Sequence, residues 1–178
     1  FWAGRADTAS VNSVYIGSQA GYNNNRSSTV AIGYQALYNN SVGATVAQAL
    51  NNVAIGTSAL SANTLGSSNT AVGNSALIGN ISGSQNTSMG YLSNVSASNL
   101  VNATAIGANA FVAQSNTMVL GSINGVNSAT ADTKVGIGTT TPDSTFSVAD
   151  KFLVGSSGTV QYDNTVPVMN YMFKSGGS

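Results

Sequence analysis

The chain has 178 residues, with five Lys plus Arg, five Asp, no Glu, no His and no Cys, so its formal net charge is zero. Those counts exclude zinc and most transition-metal sites, which need imidazole or thiolate ligands, and nucleophilic catalysis driven by a histidine base. Five scattered cations are too few to track a phosphate backbone, so no nucleic-acid partner is expected.

The acidic residues are Asp7, Asp132, Asp143, Asp150 and Asp163. They are too dispersed for a carboxylate pair, and the repeats described below lack the Asp in each turn that calcium-binding coils require. No enzymatic activity, cofactor or metal is therefore expected. No run of eighteen apolar residues occurs, so membrane insertion of this segment is not expected either. A composition of 42% hydrophobic and 6% charged residues lies opposite that of disordered chains. The polypeptide should be ordered, with apolar surface left to satisfy.

Residues 1–10 read as an N-terminal connection. The sequence opens Phe1-Trp2 rather than on Met, which suggests a processed product or a piece of a longer polypeptide. Residues 11–127 are then expected to form one repeat domain. An apolar pair around a small residue is followed by Gly, two variable residues and often Ala-Leu: VYIGSQAG, VAIGYQAL, VAIGTSAL, TAVGNSAL, TSMGYLSN, TAIGANAF and MVLGSING. The glycines are Gly17, Gly33, Gly56, Gly73, Gly90, Gly107 and Gly121, spaced 16, 23, 17, 17, 17 and 14 residues apart. A period near seventeen points to a stack of short units rather than a closed globule.

Before each glycine the residues alternate. Ile16, Ile32, Ile55, Val72, Met89, Ile106 and Leu120 share one position, and Val14, Val30, Val53, Thr70, Thr87, Thr104 and Met118 lie two residues earlier. A period of two places both sets on one face of a strand, with Tyr15, Ala31, Ala54, Ala71, Ser88, Ala105 and Val119 opposite. The branched column at Ile16 to Leu120 is read as the structural core. Each glycine should end its strand in a turn. Ala20, Ala36, Ala59, Ala76 and Ala110 then start the return side of the coil.

The expected fold is an all-β parallel β-roll or β-solenoid of about seven rungs of about 17 residues, roughly 30 Å long at strand spacing. A coil this thin has a small core of its own. An intertwined or side-by-side homotrimer sharing its interior is therefore expected. Stacked rungs also account for 105 consecutive residues, 27–131, without a charge. Like charges would recur about 5 Å apart, whereas Asn, Ser and Thr can form hydrogen-bond ladders.

Three local features stand out. Tyr22 and Tyr38 both lie five residues after a glycine, so they should stack, either as a platform for glycan or as an aromatic ladder between rungs or chains. The repeat from Gly33 to Gly56 is six residues longer than its neighbours, and the extra chain within 38–52 should bulge outward. Thr29, Thr70, Thr87 and Thr104 read as a threonine column, interrupted at Ser13 and Val53, too irregular for an ice-binding face. The Gly136-Ile137-Gly138 pair lacks the third glycine and the helix of a phosphate loop.

Residues 128–178 read as a β-rich connector and C-terminal segment, since charges return from Asp132 onward. Phe146–Val148 and Phe152–Val154, joined by Ala149-Asp150-Lys151, are expected to form a small β-hairpin, with a third strand at Thr159–Tyr162.

The units TVAIGYQAL, NVAIGTSAL and NTAVGNSAL resemble the head repeats of trimeric autotransporter adhesins and related repeats of phage tail fibres. The resemblance covers roughly residues 11–127, and VGIGTTTPDSTFSV at 135–148 is similar to a connector of large bacterial surface proteins. It implies a left-handed parallel β-roll with three chains side by side, outside the cell or on a virion. The repeat here is about three residues longer than the usual autotransporter coil, and no heptad stalk is present. The resemblance therefore supports a trimeric β-roll fibre rather than an autotransporter as such. It implies a structural and adhesive segment projecting from a cell or phage, with homotrimeric self-association and a host-surface glycan or protein as partner. The alternative is a self-assembling filament of an extracellular matrix or sheath, favoured by open strand edges at the ends of the coil.

Overall fold

The computed structural model describes residues 2–5, 11–45 and 47–148. Each phrase before a repeat glycine is a three-residue strand: β1 Val14–Ile16, β2 Val30–Ile32, β3 Val53–Ile55, β4 Thr70–Val72 and β5 Thr87–Met89. After a two-residue strand β6 at Asn94–Val95 come β7, Thr104–Ile106, the short β8, Phe111–Val112, and β9, Met118–Leu120. The seven long strands form one parallel sheet in the order β1-β2-β3-β4-β5-β7-β9, and β6 pairs with β8 on the return side. The described chain is thus an all-β parallel solenoid of about six turns, without a helix.

Register is uniform along the sheet. Val30, Val53, Thr70, Thr87, Thr104 and Met118 are successive partners, as are Ile32, Ile55, Val72, Met89, Ile106 and Leu120. Thr29 falls outside the first of these columns, because it precedes Val30 and is buried. The expected threonine column therefore contains only Thr70, Thr87 and Thr104.

The direction of the alternation corrects the core assignment. Ala31, Ala54, Ala71, Ser88 and Ala105 point into the coil and are buried, while Ile16, Ile55, Met89 and Leu120 are 58%, 38%, 47% and 50% exposed. Ile32, Val72 and Ile106 are only half-buried. The physical reason is width. A turn of about 17 residues encloses a narrow lumen that holds a methyl group per strand, not a branched side chain. Ala20, Ala36, Ala59, Ala76 and Ala110 supply the facing wall, with Leu37, Leu60 and Leu77 beside them.

Those leucines occupy a left-handed backbone, with φ of 50°, 50° and 51°. Such a conformation costs about 1–2 kcal/mol for a residue with a Cβ, while full burial of a leucine contributes about 1.5–3 kcal/mol. Burial offsets the strain. In the first rung the partition changes: Tyr15 replaces the inward alanine and Gly21 replaces the leucine. A Cβ on Gly21 would lie 2.3 Å from the Tyr15 ring, so the glycine makes room for it. In the β5 rung Ser88 donates to the Ser93 carbonyl at 2.7 Å, a polar pair in place of two alanines.

Asparagine fills the remaining corner of the coil. Asn24, Asn40, Asn63 and Asn80 form one buried column, seven residues after successive glycines, and Asn52, Asn69 and Asn86 form another, four residues before. Asn80 Nδ2 donates to Asn63 Oδ1 at 3.0 Å, and Asn63 Nδ2 to Asn40 Oδ1 at 2.8 Å. In the second column the side-chain oxygens of Asn52, Asn69 and Asn86 accept from the backbone N–H of Asn69, Asn86 and Ala103, each at 2.9 Å. Their Nδ2 groups donate to the carbonyls of Gly66, Gly83 and Leu100 at 2.7, 2.8 and 2.7 Å. Buried polar groups are stabilising only when paired, and these are.

The long repeat departs from the coil only between Ser41 and Ala49. Ser41 N–H donates to Thr64 O and Ala49 N–H to Leu65 O, both at 3.1 Å, so adjacent residues of the next rung receive both ends of the insertion. Arg26 Nη2 donates to Ala44 O at 2.7 Å and holds the bulge against the coil. Deleting 42–47 would leave five residues between Asn40 and Asn52, as between Asn63 and Asn69. That deletion is expected to change stability by no more than about 1 kcal/mol in urea unfolding, because loop closure depends weakly on length. A loss of several kcal/mol would show that the bulge is part of the packed structure.

Beyond the solenoid, β10, Val135–Ile137, pairs in parallel with β11, Phe146–Val148. Phe146–Val148 is thus a strand, and among the described residues its partner lies upstream and runs parallel. Phe152–Val154 and Thr159–Tyr162 lie outside the described residues.

Candidate functional site

Two surfaces emerge from this geometry. The first is the outer face of the seven-stranded sheet, where both columns of strand side chains point away from the coil. It runs from Val14 and Ile16 to Met118 and Leu120 with no charged residue along it. Tyr34 and Tyr91, directly after their glycines, stand beside it at 50% and 56% exposure. Seven strands at about 4.8 Å by three residues at about 3.3 Å give roughly 300 Å² of projected face. An exposed apolar patch of this size is often functional on a monomer, and here the Ile16-to-Leu120 column is unbroken while Thr70, Thr87 and Thr104 interrupt the column beside it. The residues assigned from sequence to a core are thus brought together, but on the outside of the chain's own coil.

The repeat glycines make that face continuous. Gly17, Gly33, Gly56, Gly73, Gly90 and Gly107 have φ between 116° and 137°, and Gly121 has φ 86°. They lie on top of one another and let the rungs approach at backbone distance.

The second surface is the aromatic column. Tyr22 and Tyr38 stack with ring centroids 5.0 Å apart and planes at 11°. Sequence offset anticipated this pair. It did not anticipate what covers it. Trp2 lies 6.2 Å from Tyr22, and the Arg5 guanidinium sits 5.4 Å from the Trp2 ring and 5.2 Å from the Tyr22 ring. Arg5 Nη1 also donates to the Tyr22 hydroxyl. A cation between two rings gains roughly 0.5–2 kcal/mol from their quadrupoles.

Residues 2–5 reach this position because they follow the coil's path one rung early. Gly4 N–H donates to Ala20 O at 2.8 Å, as Gly21 N–H does to Ala36 O at 2.8 Å and Leu37 N–H to Ala59 O at 2.9 Å. Trp2 and Gly4 have φ of 69° and 59°, matching 59° and 59° at Gln19 and Gly21. The signal was present in the sequence as WAGR aligned with QAGY.

Near the far end, Ala108, Asn109, Ser122, Ala129 and Thr133 line an open depression of about 250 Å³. Its rim carries hydroxyls and an amide and no titratable side chain. Among the described residues no three His, Cys, Asp or Glu side chains group as metal ligands, and no helix is long and apolar enough to cross a membrane.

No family model, no curated protein and no solved structure matches this chain.

Proposed function

We propose that this chain is a structural and adhesive segment of an extracellular fibre, a homotrimeric rod that projects from a bacterial cell or a phage and attaches to a surface. The observation that carries the reading is the outward apolar column from Ile16 through Ile55 to Leu120. A chain that encloses mainly alanine, leucine and asparagine yet presents seven rungs of Val, Ile, Met and Leu has a face suited to copies of itself. Removing roughly 300 Å² from water at about 25 cal/mol per Å² contributes at most about 7 kcal/mol per chain, against which the entropic cost of association is set. Parallel copies about a common axis bring like residues together at every level, as the resemblance to trimeric β-roll heads implies. Identical rod faces then give attachment through many weak contacts.

Among the described residues β1 and β9 each have one neighbour in the sheet, which supports a second reading as a filament that grows end to end. Light scattering over a hundredfold range of concentration separates the two. A constant mass of three chains is expected, whereas a mass that climbs with concentration would favour the filament. The substitution Ile55→Asp sharpens the test. It places a charge in the middle of the outer face without entering the coil, so the variant should keep its β circular dichroism and fall to the mass of one chain. A variant that stays trimeric would overturn this use of the face, and so would a monomeric parent.

A further inference from the structure

The aromatic column has a gap. Five residues after successive glycines come Tyr22, Tyr38, Ser61 and Ile78, and Arg5 precedes them in the same register. Arg5 covers one face of Tyr22, and Tyr38 covers the other. Tyr38 has Tyr22 on its first side. On its second side the next rung offers only Ser61, placed there by the hydrogen bond from Asn39 N–H to Ser61 O at 3.1 Å. The column resumes with the larger Ile78 one rung on, so the rung between Tyr38 and Ile78 contributes no ring to the column.

We propose that this gap is a stacking subsite for a neutral pyranose ring, bound against the second face of Tyr38. The inference rests on the adhesive reading and names the ligand class for it. Strand spacing of about 4.8 Å is nearly the separation of the two tyrosines, so a ring held over Ser61 stacks as the missing aromatic would. A sugar suits the position better than a planar aromatic because the rim is polar. Asn39 accepts from Asn23 Nδ2 through Oδ1 at 3.2 Å. Among the described residues its Nδ2 and the Ser61 hydroxyl have no other partner, leaving donors and an acceptor for ring hydroxyls. Tyrosine supplies the flat apolar surface for the C–H face of the ring. Arg5, the cation of this column, lies on the far side of Tyr22 from Tyr38, so the rim formed by Asn39 and Ser61 is neutral and suits a neutral ligand.

The test uses methyl glycosides of glucose, galactose and N-acetylglucosamine, titrated to about 50 mM while the Tyr38 ring resonances are followed by NMR. A monosaccharide held by one ring should bind in the millimolar range. Ser61→Tyr completes the ladder and fills the space, so it should abolish the shifts by at least about tenfold in affinity, with thermal stability unchanged or raised. Tyr38→Ala should lose them as well, and Tyr34→Ala, on the outer sheet face, should retain them. The subsite is overturned if none of the three glycosides shifts Tyr38, or if Ser61→Tyr binds as the parent does. Light scattering on the same samples keeps the two readings apart. A trimer without a glycoside response discards the subsite alone, and a monomer that responds discards the trimer alone.

Discussion

Gly56→Ala is expected to destabilise the chain by about 4 kcal/mol, measured as a drop in the urea midpoint with an unchanged slope. Two effects add. The backbone at Gly56 has φ +129°, a region open essentially to glycine, which costs about 1–3 kcal/mol with any side chain. The new Cβ would also lie 2.5 Å from Gly73 O and 2.6 Å from Gly73 C. Backbone cannot swing aside as a side chain can, so the rungs on either side must part and the hydrogen bond from Gly73 N–H to Ile55 O at 2.8 Å must lengthen. Gly43→Ala is the control. Gly43 also has positive φ, +74°, but nothing lies within 4 Å of its would-be Cβ. That variant should lose only about 1 kcal/mol, the conformational cost alone. Equal losses at the two sites would show that strain rather than rung-to-rung contact makes glycine necessary in the column.

The same glycines made the strands legible. All seven triplets before them are strands, because a short alternating run ended by Gly has few other ways to satisfy its backbone. What alternation cannot give is the sign of the face. Large apolar residues usually point inward, and that expectation failed here because in most rungs the lumen takes alanine beside leucine from the corner. Side-chain volume carries that sign. Where Tyr15 takes the inward position, Gly21 replaces the corner leucine, an exchange that makes sense only if both fill one space.

The asparagine columns were visible as fixed offsets from glycine, yet amides in turns ordinarily bond local backbone at the surface. Their burial follows from stacking, which lets each amide find its partner one rung away. The β10–β11 pairing was hidden for another reason. Alternation marks Phe146–Val148 as a strand but does not name its neighbour. The clue was VGIG at 135–138, the repeat's own phrase, which invites a parallel partner.

Asn63→Asp should be the most damaging substitution that leaves side-chain volume unchanged. Asn63 is fully buried, donates through Nδ2 to Asn40 Oδ1 at 2.8 Å and Gly66 O at 2.9 Å, and accepts from Asn80 Nδ2 at 3.0 Å. Aspartate would set an oxygen against two oxygens and place a negative charge where none of the hydrogen-bond partners of Asn63 is a cation. Asn40 Oδ1 and Gly66 O keep a second donor, Asn52 Nδ2, at 3.1 and 2.7 Å. The loss therefore comes from the new group rather than from abandoned acceptors, and about 3–5 kcal/mol is expected for a buried, uncompensated charge. Thermal unfolding by far-UV circular dichroism should fall by about 10 °C or more. Asn74→Asp, at an exposed position where the side chain only accepts from Ser75 Oγ at 2.9 Å, should change it little. The direction of the column sharpens the point. Every amide from Asn80 through Asn63 and Asn40 to Asn24 donates toward the N-terminus, so each bond polarises the next. A carboxylate in the middle ends that chain of donors. If Asn63→Asp and Asn74→Asp melted alike, the buried amides would be filling space rather than joining the rungs.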